Sequence, residues 1–408
     1  MSLQKEVSPR LLSIPVLVAA LGYFVDIYDL LLFGIIRKGS LQSIGLSDNQ
    51  VLTSGEFIIS VQMIGLLLGG ILWGVMGDKK GRLSVLFGSI VLYSLANIAN
   101  GMVQTVNQYA LLRFIAGVGL AGELGAGITL VSELLPKEKR GLGTSMVAGF
   151  GLTGAIVAYF ISKEFDWRVC FYIGGAMGFL LLILRISVFE SNMFKQVKEM
   201  NVRRGDFFMF FTNSNRFFTY IKCILIGLPT WFVIGVLVTF SDQFGVRFGI
   251  HDPIDPGKAI MFAYIGISIG DIAIGFVSQA LKSRKKALFI FYVLTIIFMV
   301  LFFMQNGSSA TTMYLLCLGL GFATGFWAIF VTMAAEQFGT NLRATAATTV
   351  PNMVRGALPL IIMLFKWLRG TSGFITGGIM TAIIIMVITL IAAYFTKETF
   401  GKDLMYVE

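Results

Sequence analysis

The sequence predicts an all-helical protein that crosses a membrane many times. The chain has 408 residues, of which 56% are hydrophobic and 13% are charged, and its mean hydropathy is +0.82. A soluble domain carries about 25% charged residues, so a water-soluble core could not hide this much apolar surface. The apolar residues also form continuous runs of about 20 residues, whereas the strands of a membrane barrel alternate over about 10. We therefore expect membrane-spanning helices.

Twelve apolar runs follow one another along the chain, and each is long enough to cross a bilayer with some tilt. They lie at about 11–36, 51–75, 84–103, 107–131, 141–162, 168–188, 216–240, 259–281, 287–304, 311–335, 345–368 and 373–395. An even number of spans places both termini on one side. Loops on that side hold about 20 of the 32 Lys and Arg residues, against about 8 on the other side. The positive-inside rule therefore predicts an integral multi-pass protein of the cell (inner) membrane with both termini cytoplasmic.

The net charge of +10 does not indicate a nucleic-acid partner, because the basic residues lie in short loops between apolar runs. The three cysteines, Cys170, Cys223 and Cys317, lie inside apolar runs and suggest no disulfide framework. The sequence contains no metal-binding cluster, nucleotide loop or nucleophile motif, so we expect no metal, no cofactor and no enzymatic activity. The first run is long and is followed by further spans, which argues against a cleaved signal.

A polar, basic loop at 189–215 divides the spans into two groups of six. We therefore predict an N-terminal six-helix bundle at 1–188 and a C-terminal six-helix bundle at 216–408. An internal repeat supports this division. Two parallel six-span repeats with a substrate path between them are the architecture of rocking transporters.

The repeat is clearest after the fourth and tenth spans. In SELLPKEKR, Glu133 is followed seven residues later by Arg140, and in AEQFGTNLR, Glu336 is followed seven residues later by Arg343. Basic loops precede both segments at nearly the same distance. The two halves therefore carry matching charged groups on the side of the termini.

The stretch 113–140, RFIAGVGLAGELGAGITLVSELLPKEKR, combines an apolar helix with internal charges. A charge at the bilayer centre costs roughly 2.5–3.5 kcal/mol, so Arg113 and Glu123 are expected to have a function. The closely spaced glycines of this stretch allow a neighbouring helix to approach its backbone. Both features are typical of a polytopic protein that changes conformation and not of a passive membrane anchor.

Several motifs identify a family. GVMGDKKGR at 74–82 resembles the loop between the second and third spans of the major facilitator superfamily, and the 113–140 stretch is similar to the fourth span and following loop of that superfamily. VFESNMFK after the sixth span and KETFGKDL near the end resemble degraded sugar-porter and organic-ion-transporter signatures. The resemblance implies two pseudo-symmetric six-helix bundles, alternating access and a monomer. The second-half loop lacks the Asp and Gly of the motif, and the sixth-span motif lacks its proline, so the gate is expected to differ between the halves.

The same resemblance implies a charged gate on the side of the termini. Its residues are Gly74, Asp78, Gly81, Arg82, Glu133 and Arg140 in the first half and Glu336 and Arg343 in the second. Exposed ion pairs contribute little one by one. A partly buried network needs only a few kcal/mol to favour one of two states.

Two aspartates occupy the first span, in GYFVDIYDLLLFG. Asp26 and Asp29 are three residues apart and share a helix face. The stretch resembles the Asp-x-x-Asp of proton-coupled phosphate symporters and a related pattern in aromatic-acid symporters. At 1.5 Å per residue, Asp29 and Arg113 each lie about 9 Å outward of the centre of their span, so they can meet if the helices are neighbours. Protonation of Asp29 would then release Arg113. Alternatively, Asp26 carries the proton, or one aspartate only caps a kink or pairs locally.

Glu123 lies about 6 Å inward of the centre of the fourth span. It is either a second proton site or a hydrogen-bonding group that stabilises helix contacts. Two other charges, Lys222 and Arg185, lie near span ends, where they can reach the membrane surface and have a structural role. The single histidine, His251, lies in a loop, so proton transfer is expected to use carboxylates.

Arg355 is the candidate substrate-binding charge of the second half. In VPNMVRGALPL it is flanked by Pro351 and Pro359, which allow the helix to bend. The pattern resembles the eleventh span of organic-anion transporters. A guanidinium that faces a cavity can bind a carboxylate or phosphate through two hydrogen bonds. The alternative is a buried ion pair with Asp271. Further candidates for the binding site are Asp271, Tyr23, Tyr28, Tyr159, Trp231, Trp327 and Asn352; the aromatic residues alternatively serve only in packing. Trp231 follows Pro229, which predicts a break in the seventh span.

These features predict a secondary active transporter that takes up a small anionic metabolite, an organic acid, together with protons. An inorganic phosphate or sugar proton symporter is one alternative; the first span favours phosphate, but the AGE sequence at Glu123 departs from the Gly-Gly-Asp of that group. A proton-antiport exporter of drugs or metabolites is the other alternative, although GFGLTGAI at 150–157 lacks the proline of the antiporter motif. The expected partners are the small-molecule substrate, protons and the lipid bilayer.

Overall fold

A computed structural model describes residues 14–80, 82–123, 125, 127, 147–185 and 207–401. Every regular element within these ranges is a helix. Nine of the described helical segments are long and apolar enough to cross a membrane, and Ser84–Asn100 is a shorter apolar helix. With the remaining short helices, the described segments follow the twelve predicted runs in order. The prediction of an all-helical polytopic membrane protein is therefore confirmed.

The spans are numbered one to twelve in chain order. Spans one to six contain the helices Ile14–Ser43, Asp48–Lys80, Arg82–Asn100, Val106–Leu120, Gly154–Glu164 and Trp167–Arg185. Span seven consists of Ser214–Leu225, Leu228–Phe232, the π-helix Val233–Val238 and Ser241–Arg247, preceded by a 3₁₀ turn at Phe207–Phe210. Spans eight and nine are Pro256–Leu281 and Arg284–Phe303. Spans ten to twelve contain Ala310–Ala323 with Trp327–Glu336, Thr340–Gly356 with Leu358–Ser372, and Phe374–Phe395.

Three spans of the second half are interrupted. Span seven breaks before Pro229, as the sequence predicts, because proline has no N–H to continue the helical ladder. Its π-helical turn follows directly, and such turns often occur at functional sites. Span eleven breaks in the same way before Pro359, whereas span ten is interrupted after Ala323. The buried residues Trp231, Trp327 and Arg355 lie next to these breaks.

Within each half, glycines bring two spans into backbone contact, and the two pairs of spans correspond between the halves. A Cβ atom at Gly65 or Gly117 would meet the backbone of the facing span, which joins spans two and four. Gly266 and Gly321 have the same relation between spans eight and ten. Only hydrogen side chains permit these approaches. The glycine contacts therefore repeat between the halves, in keeping with their pseudo-symmetry.

The two halves meet along spans one, two and five of the first and spans seven, eight and eleven of the second. Gly70 and Gly74 of span two leave room for Asn352 and Thr349 of span eleven, and Gly34 of span one faces Ile260 of span eight. The charged groups described below lie at this interface or directly behind it. Residues 189–206 of the expected linker lie outside the described part of the chain, so the boundaries of the two bundles remain a prediction.

Candidate transport site between the two halves

Asp29 and Arg113 form the predicted contact between spans one and four. Arg113 Nη1 lies 2.8 Å from Asp29 Oδ1, and Nη2 donates to the Asp29 carbonyl oxygen at 2.9 Å. Asn97 of span three and Gln62 of span two accept two further bonds at 3.2 and 3.3 Å. All four residues are buried. The guanidinium therefore joins the first four spans, and Asn97 and Gln62 are partners that the sequence did not reveal.

Glu123 forms a buried ion pair with Arg185 of span six, through two hydrogen bonds. The prediction that Arg185 reaches the membrane surface is wrong, because its side chain turns inward to this carboxylate and is buried. The pair lies against span one at Gly22, where a Cβ would collide with both side chains. One signal was available in the sequence, since Glu123 and Arg185 both lie in the half of their span nearer the termini. Lys222, by contrast, donates to the Phe395 carbonyl oxygen at 3.0 Å, in agreement with a structural role.

Asp26 lies between these two ion pairs along span one. Its side chain is buried, and among the described residues neither carboxylate oxygen has a hydrogen-bond partner. Arg355, Glu123 and Asp29 lie within electrostatic range of it. A buried carboxylate without hydrogen bonds is expensive to keep charged. Asp26 is therefore a group whose state of protonation can respond to what binds beside it.

Arg355 is buried at the interface of the two halves. Its Nε has no hydrogen-bond partner within the described ranges, and Nη1 donates weakly to Asn352 Oδ1 at 3.5 Å. Asn352 Nδ2 donates to the carbonyl oxygen of Ala121, in span four, at 2.9 Å. The Asn352 amide therefore links the second half to the first and lies beside the guanidinium. Arg355 keeps donor capacity for a ligand.

Asp271 does not pair with Arg355. Its Oδ1 accepts a hydrogen bond from the backbone N–H of Ala328 at 3.0 Å, at the start of the helix that begins with Trp327. A carboxylate is stabilised there by the free N–H groups and the dipole of the helix. The alternative of an Asp271–Arg355 ion pair is therefore wrong. Asp271 helps to hold the break of span ten, and its assignment to substrate binding remains a prediction.

Two tryptophans flank the Arg355 guanidinium. Its central carbon lies 5.9 Å from the ring centre of Trp231 and 5.7 Å from that of Trp327. The two indole rings are 6.5 Å apart and inclined by 70°. Both indole N–H groups are buried without a partner in the described structure. The tryptophans and the arginine thus present an aromatic wall with unused hydrogen-bond donors.

Tyrosines occupy three different places. Tyr23 is buried within electrostatic range of Arg355 and Asp26, as is Tyr264 of span eight. Tyr264 was missed, although it lies seven residues before Asp271 and so shares its helix face. Tyr28 donates to the Cys170 carbonyl oxygen at 2.9 Å and ties span one to span six. This contact supports a packing role, and the assignment of Tyr28 to substrate binding remains a prediction.

Tyr159 also lies away from the central group. Lys163 lies 5.2 Å from the Tyr159 ring centre, and the same Lys163 pairs with Asp255 at the face opposite the termini. Tyr159 therefore lies near that face, and its assignment to substrate binding remains a prediction. The sequence could not distinguish these places, because an aromatic residue in an apolar span looks the same wherever the span packs.

The predicted gate at the termini is described in part. Gly74 packs against Thr349, and a Cβ there would lie 3.2 Å from the Thr349 methyl group. Gly81, Glu133, Arg140 and the side chains of Asp78 and Arg82 lie outside the described structure. In the second half, Glu336 accepts two hydrogen bonds of 2.7 Å from Arg284, at the start of span nine. The gating role of these residues remains a prediction.

Comparison with known proteins identifies the family. The sequence profile of the Major Facilitator Superfamily matches residues 19–361. The chain is 25% identical over 420 residues to the niacin transporter NiaP of Acinetobacter baylyi, covering 95% of this chain and 94% of the relative. It is 25% identical over 395 residues to the cis,cis-muconate transport protein of the same organism, covering 94% of each.

A solved structure shares the fold. The proton:xylose symporter XylE superimposes with a TM-score of 0.72 at 18% sequence identity, covering 96% of this chain and 97% of that one. At this identity the likeness concerns the fold alone. It agrees with twelve spans arranged as two six-helix bundles. The chain is therefore a secondary transporter, not an enzyme, and it belongs to the major facilitator superfamily.

Proposed function

We propose that the chain takes up a small organic acid together with a proton by alternating access. One observation carries this proposal: an unpartnered carboxylate and a guanidinium with unused donors lie on opposite halves, within electrostatic range of each other. Asp26 belongs to span one and Arg355 to span eleven. Between them they can hold a proton and an anion.

The other buried charges of the site are already engaged. Asp29 is bonded to Arg113, Glu123 to Arg185, and Asp271 to the backbone of span ten. Among the described buried carboxylates of the spans, Asp26 is the one with neither oxygen bonded. We therefore assign the transported proton to Asp26, and a supporting role to Asp29, Arg113 and Glu123.

The balance of charge in the site couples the binding of the anion to the binding of a proton. In the empty site, ionised Asp26 balances the charge of Arg355 through the low-dielectric interior. A substrate carboxylate that binds Arg355 adds a second negative charge, which Asp26 repels unless it has taken up a proton. Protonated Asp26 with bound anion and ionised Asp26 without it have the same net charge. The transporter then changes conformation in these two balanced states, and one proton accompanies each monocarboxylate.

The sign of this coupling favours uptake over proton antiport. Because protonation of Asp26 strengthens the binding of an anion, proton and substrate travel in the same direction. An antiporter needs the two to compete for the site, as a cationic substrate and a proton would. An anionic substrate therefore argues for symport down the inward proton gradient.

The aromatic wall favours a planar acid. Trp231 and Trp327 can contact the flat body of a ligand while Arg355 binds its carboxylate. The relatives named for niacin and cis,cis-muconate are named for conjugated carboxylic acids, which supports this class of substrate. From the distribution of Lys and Arg, we further propose that both termini lie in the cytoplasm. From the family resemblance, we propose that the protein is a monomer.

Uptake of labelled small carboxylates into proteoliposomes tests the proposal. An inward proton gradient should accelerate uptake by the wild-type protein. D26N should still bind and exchange substrate but lose the response to the gradient, whereas R355Q should lose binding. K222Q, which changes a lysine near the membrane surface, serves as the matched control and should behave like wild type.

Three results would contradict parts of the proposal. If the rate of uptake by the wild-type protein does not depend on the proton gradient, the proposed coupling to protons is contradicted. If uptake by D26N responds fully to the gradient, the transported proton binds to Asp29 or Glu123 and not to Asp26. Unchanged substrate affinity in R355Q makes Arg355 a structural residue and leaves the substrate class open.

A further inference from the structure

Three ion pairs join the two halves at the face opposite the termini. Each pair links a different couple of spans: one and seven, two and eleven, and five and eight. The pairs are Arg37–Asp242 at 2.9 Å, Arg369–Glu56 at 2.5 Å with Lys366 at 3.6 Å, and Lys163–Asp255 at 2.6 Å. Opening of this face separates the halves here, so every one of these pairs must part. The sequence had indicated a charged gate only at the other face.

Burial ranks the three pairs. The Arg37 side chain is fully buried and that of Asp242 is 10% exposed, whereas Lys163 and Asp255 are 51% and 30% exposed. An exposed pair contributes little because water replaces each partner. A buried pair is costly to break while the site stays dry, since each charge would lose its partner without gaining water. Arg37–Asp242 therefore dominates, with the Glu56 pair intermediate.

Arg37 lies directly in line with the transport site. It follows Asp26 by eleven residues, about three helical turns, so both lie on the same face of span one about 16 Å apart. Between them in the chain, Gly34 packs against the apolar side chain of Ile260 in span eight. A ligand that approaches Asp26 from this face must pass the level of Arg37.

The Arg37 guanidinium also holds the end of span seven. Besides Asp242, it approaches the Thr239 carbonyl oxygen at 3.4 Å and lies 4.9 Å from the Phe240 ring centre. These groups directly follow the π-helical turn, which in turn follows Trp231. Arg37 Nε and Nη1 have no hydrogen-bond partner among the described residues. Its attachment to the second half therefore depends chiefly on Asp242.

We propose that Arg37–Asp242 is an ionic latch that keeps this face closed and sets how often the transport site opens to it. The latch acts on the conformational equilibrium and does not depend on which substrate or ion is carried. The less buried Glu56 and Asp255 pairs modulate it. In the orientation proposed above, this is the outer face of the membrane.

Cysteine labelling measures the latch directly. Cys170, Cys223 and Cys317 are replaced, and I260C is introduced as a reporter, because Ile260 is buried beside Gly34 beneath the latch. A membrane-impermeant maleimide is added on this face. The double variant R37Q/D242N should label about tenfold faster than the background, which corresponds to about 1.4 kcal/mol in the opening equilibrium. K163Q, in the exposed pair, should label at close to the background rate.

Charge exchange separates a latch from general loosening. R37D/D242R restores opposite charges and should slow labelling again, while R37K, which keeps the charge but loses the planar fork, should fall between wild type and the double variant. Labelling of a folded R37Q/D242N protein at the background rate would overturn the proposal. If that variant does not fold, R37K provides the test. Labelling of R37K at the background rate would also overturn the proposal.

Discussion

At the scale of single residues, the site depends on which charges are engaged and which are left unpartnered. Asp26 and Asp29 are three residues apart on one helix face, yet Asp29 is bonded to Arg113 and Asp26 has no partner among the described residues. The difference arises from the neighbouring spans, since Arg113 bonds to the outer aspartate, and Asn97 and Gln62 accept hydrogen bonds from that arginine. The same motif therefore provides one structural carboxylate and one carboxylate available for protonation.

The Glu123–Arg185 pair allows a test of the two interpretations of Glu123, as a second proton site or as a structural group. If the pair is ionised and structural, E123Q leaves a buried guanidinium without its counter-charge and should destabilise the protein by about 3–5 kcal/mol. The apolar double variant E123L/R185M should recover most of that loss. Thermal or denaturant unfolding of the purified protein measures both. An E123Q protein as stable as wild type would instead indicate that Glu123 already holds a proton.

At the scale of elements, backbone contact between helices controls the packing of each half. In span ten, a Cβ at Gly321 would collide with the backbone of Ala263, which cannot move without shifting span eight. G321A should therefore destabilise the protein by about 1–3 kcal/mol. G275A, in span eight, has nothing within 4 Å of the added methyl group and should be neutral or slightly stabilising. Equal unfolding temperatures for the two variants would contradict this account of the contact.

The broken spans explain how the second half presents its ligand-binding groups. Breaks in spans seven and ten bring Trp231 and Trp327 to Arg355, and Asp271 bonds to the start of the helix that carries Trp327. An unbroken helix would satisfy its own backbone and leave no free N–H for Asp271. The interruptions therefore position aromatic side chains that regular helices would place differently.

At the scale of the whole molecule, the face at the termini carries a cluster around Glu398, just after span twelve. Partial burial alone would raise the pKa of Glu398, but hydrogen bonds to its carboxylate outweigh that effect and lower the pKa to about 2. The donors are the Ser283 hydroxyl and the backbone N–H groups of Phe400, Lys285 and Thr399. This cluster fastens the end of the chain to the loop between spans eight and nine.

The lowered pKa of Glu398 predicts a pH-dependent contribution to stability. A carboxylate with a depressed pKa in the folded protein stabilises it fully above its ordinary value of 4.5, and this contribution is lost as the pH falls towards about 2. E398Q should therefore unfold at a lower temperature than wild type at neutral pH, and the gap should close on acidification. E164Q, which changes an exposed carboxylate at the other face, is the control. A gap that persists at the lowest pH would contradict the account.

The sequence by itself determined the features that follow from length, composition and depth. Twelve apolar runs predicted the spans, Pro229 predicted the break of span seven, and the rise per residue predicted that Asp29 and Arg113 could meet. The motifs added the family, which the comparison confirms. Each of these depends on properties of one span at a time.

Only the tertiary structure decided which faces of different spans meet. It paired Arg185 with Glu123, bonded Asp271 to span ten rather than to Arg355, moved Tyr28 and Tyr159 away from the centre, and placed Arg37 against Asp242. The physical reason is that helical periodicity gives the depth and relative direction of side chains within one span. The rotation of that span against its neighbours is set by packing over the whole molecule, to which every other span contributes.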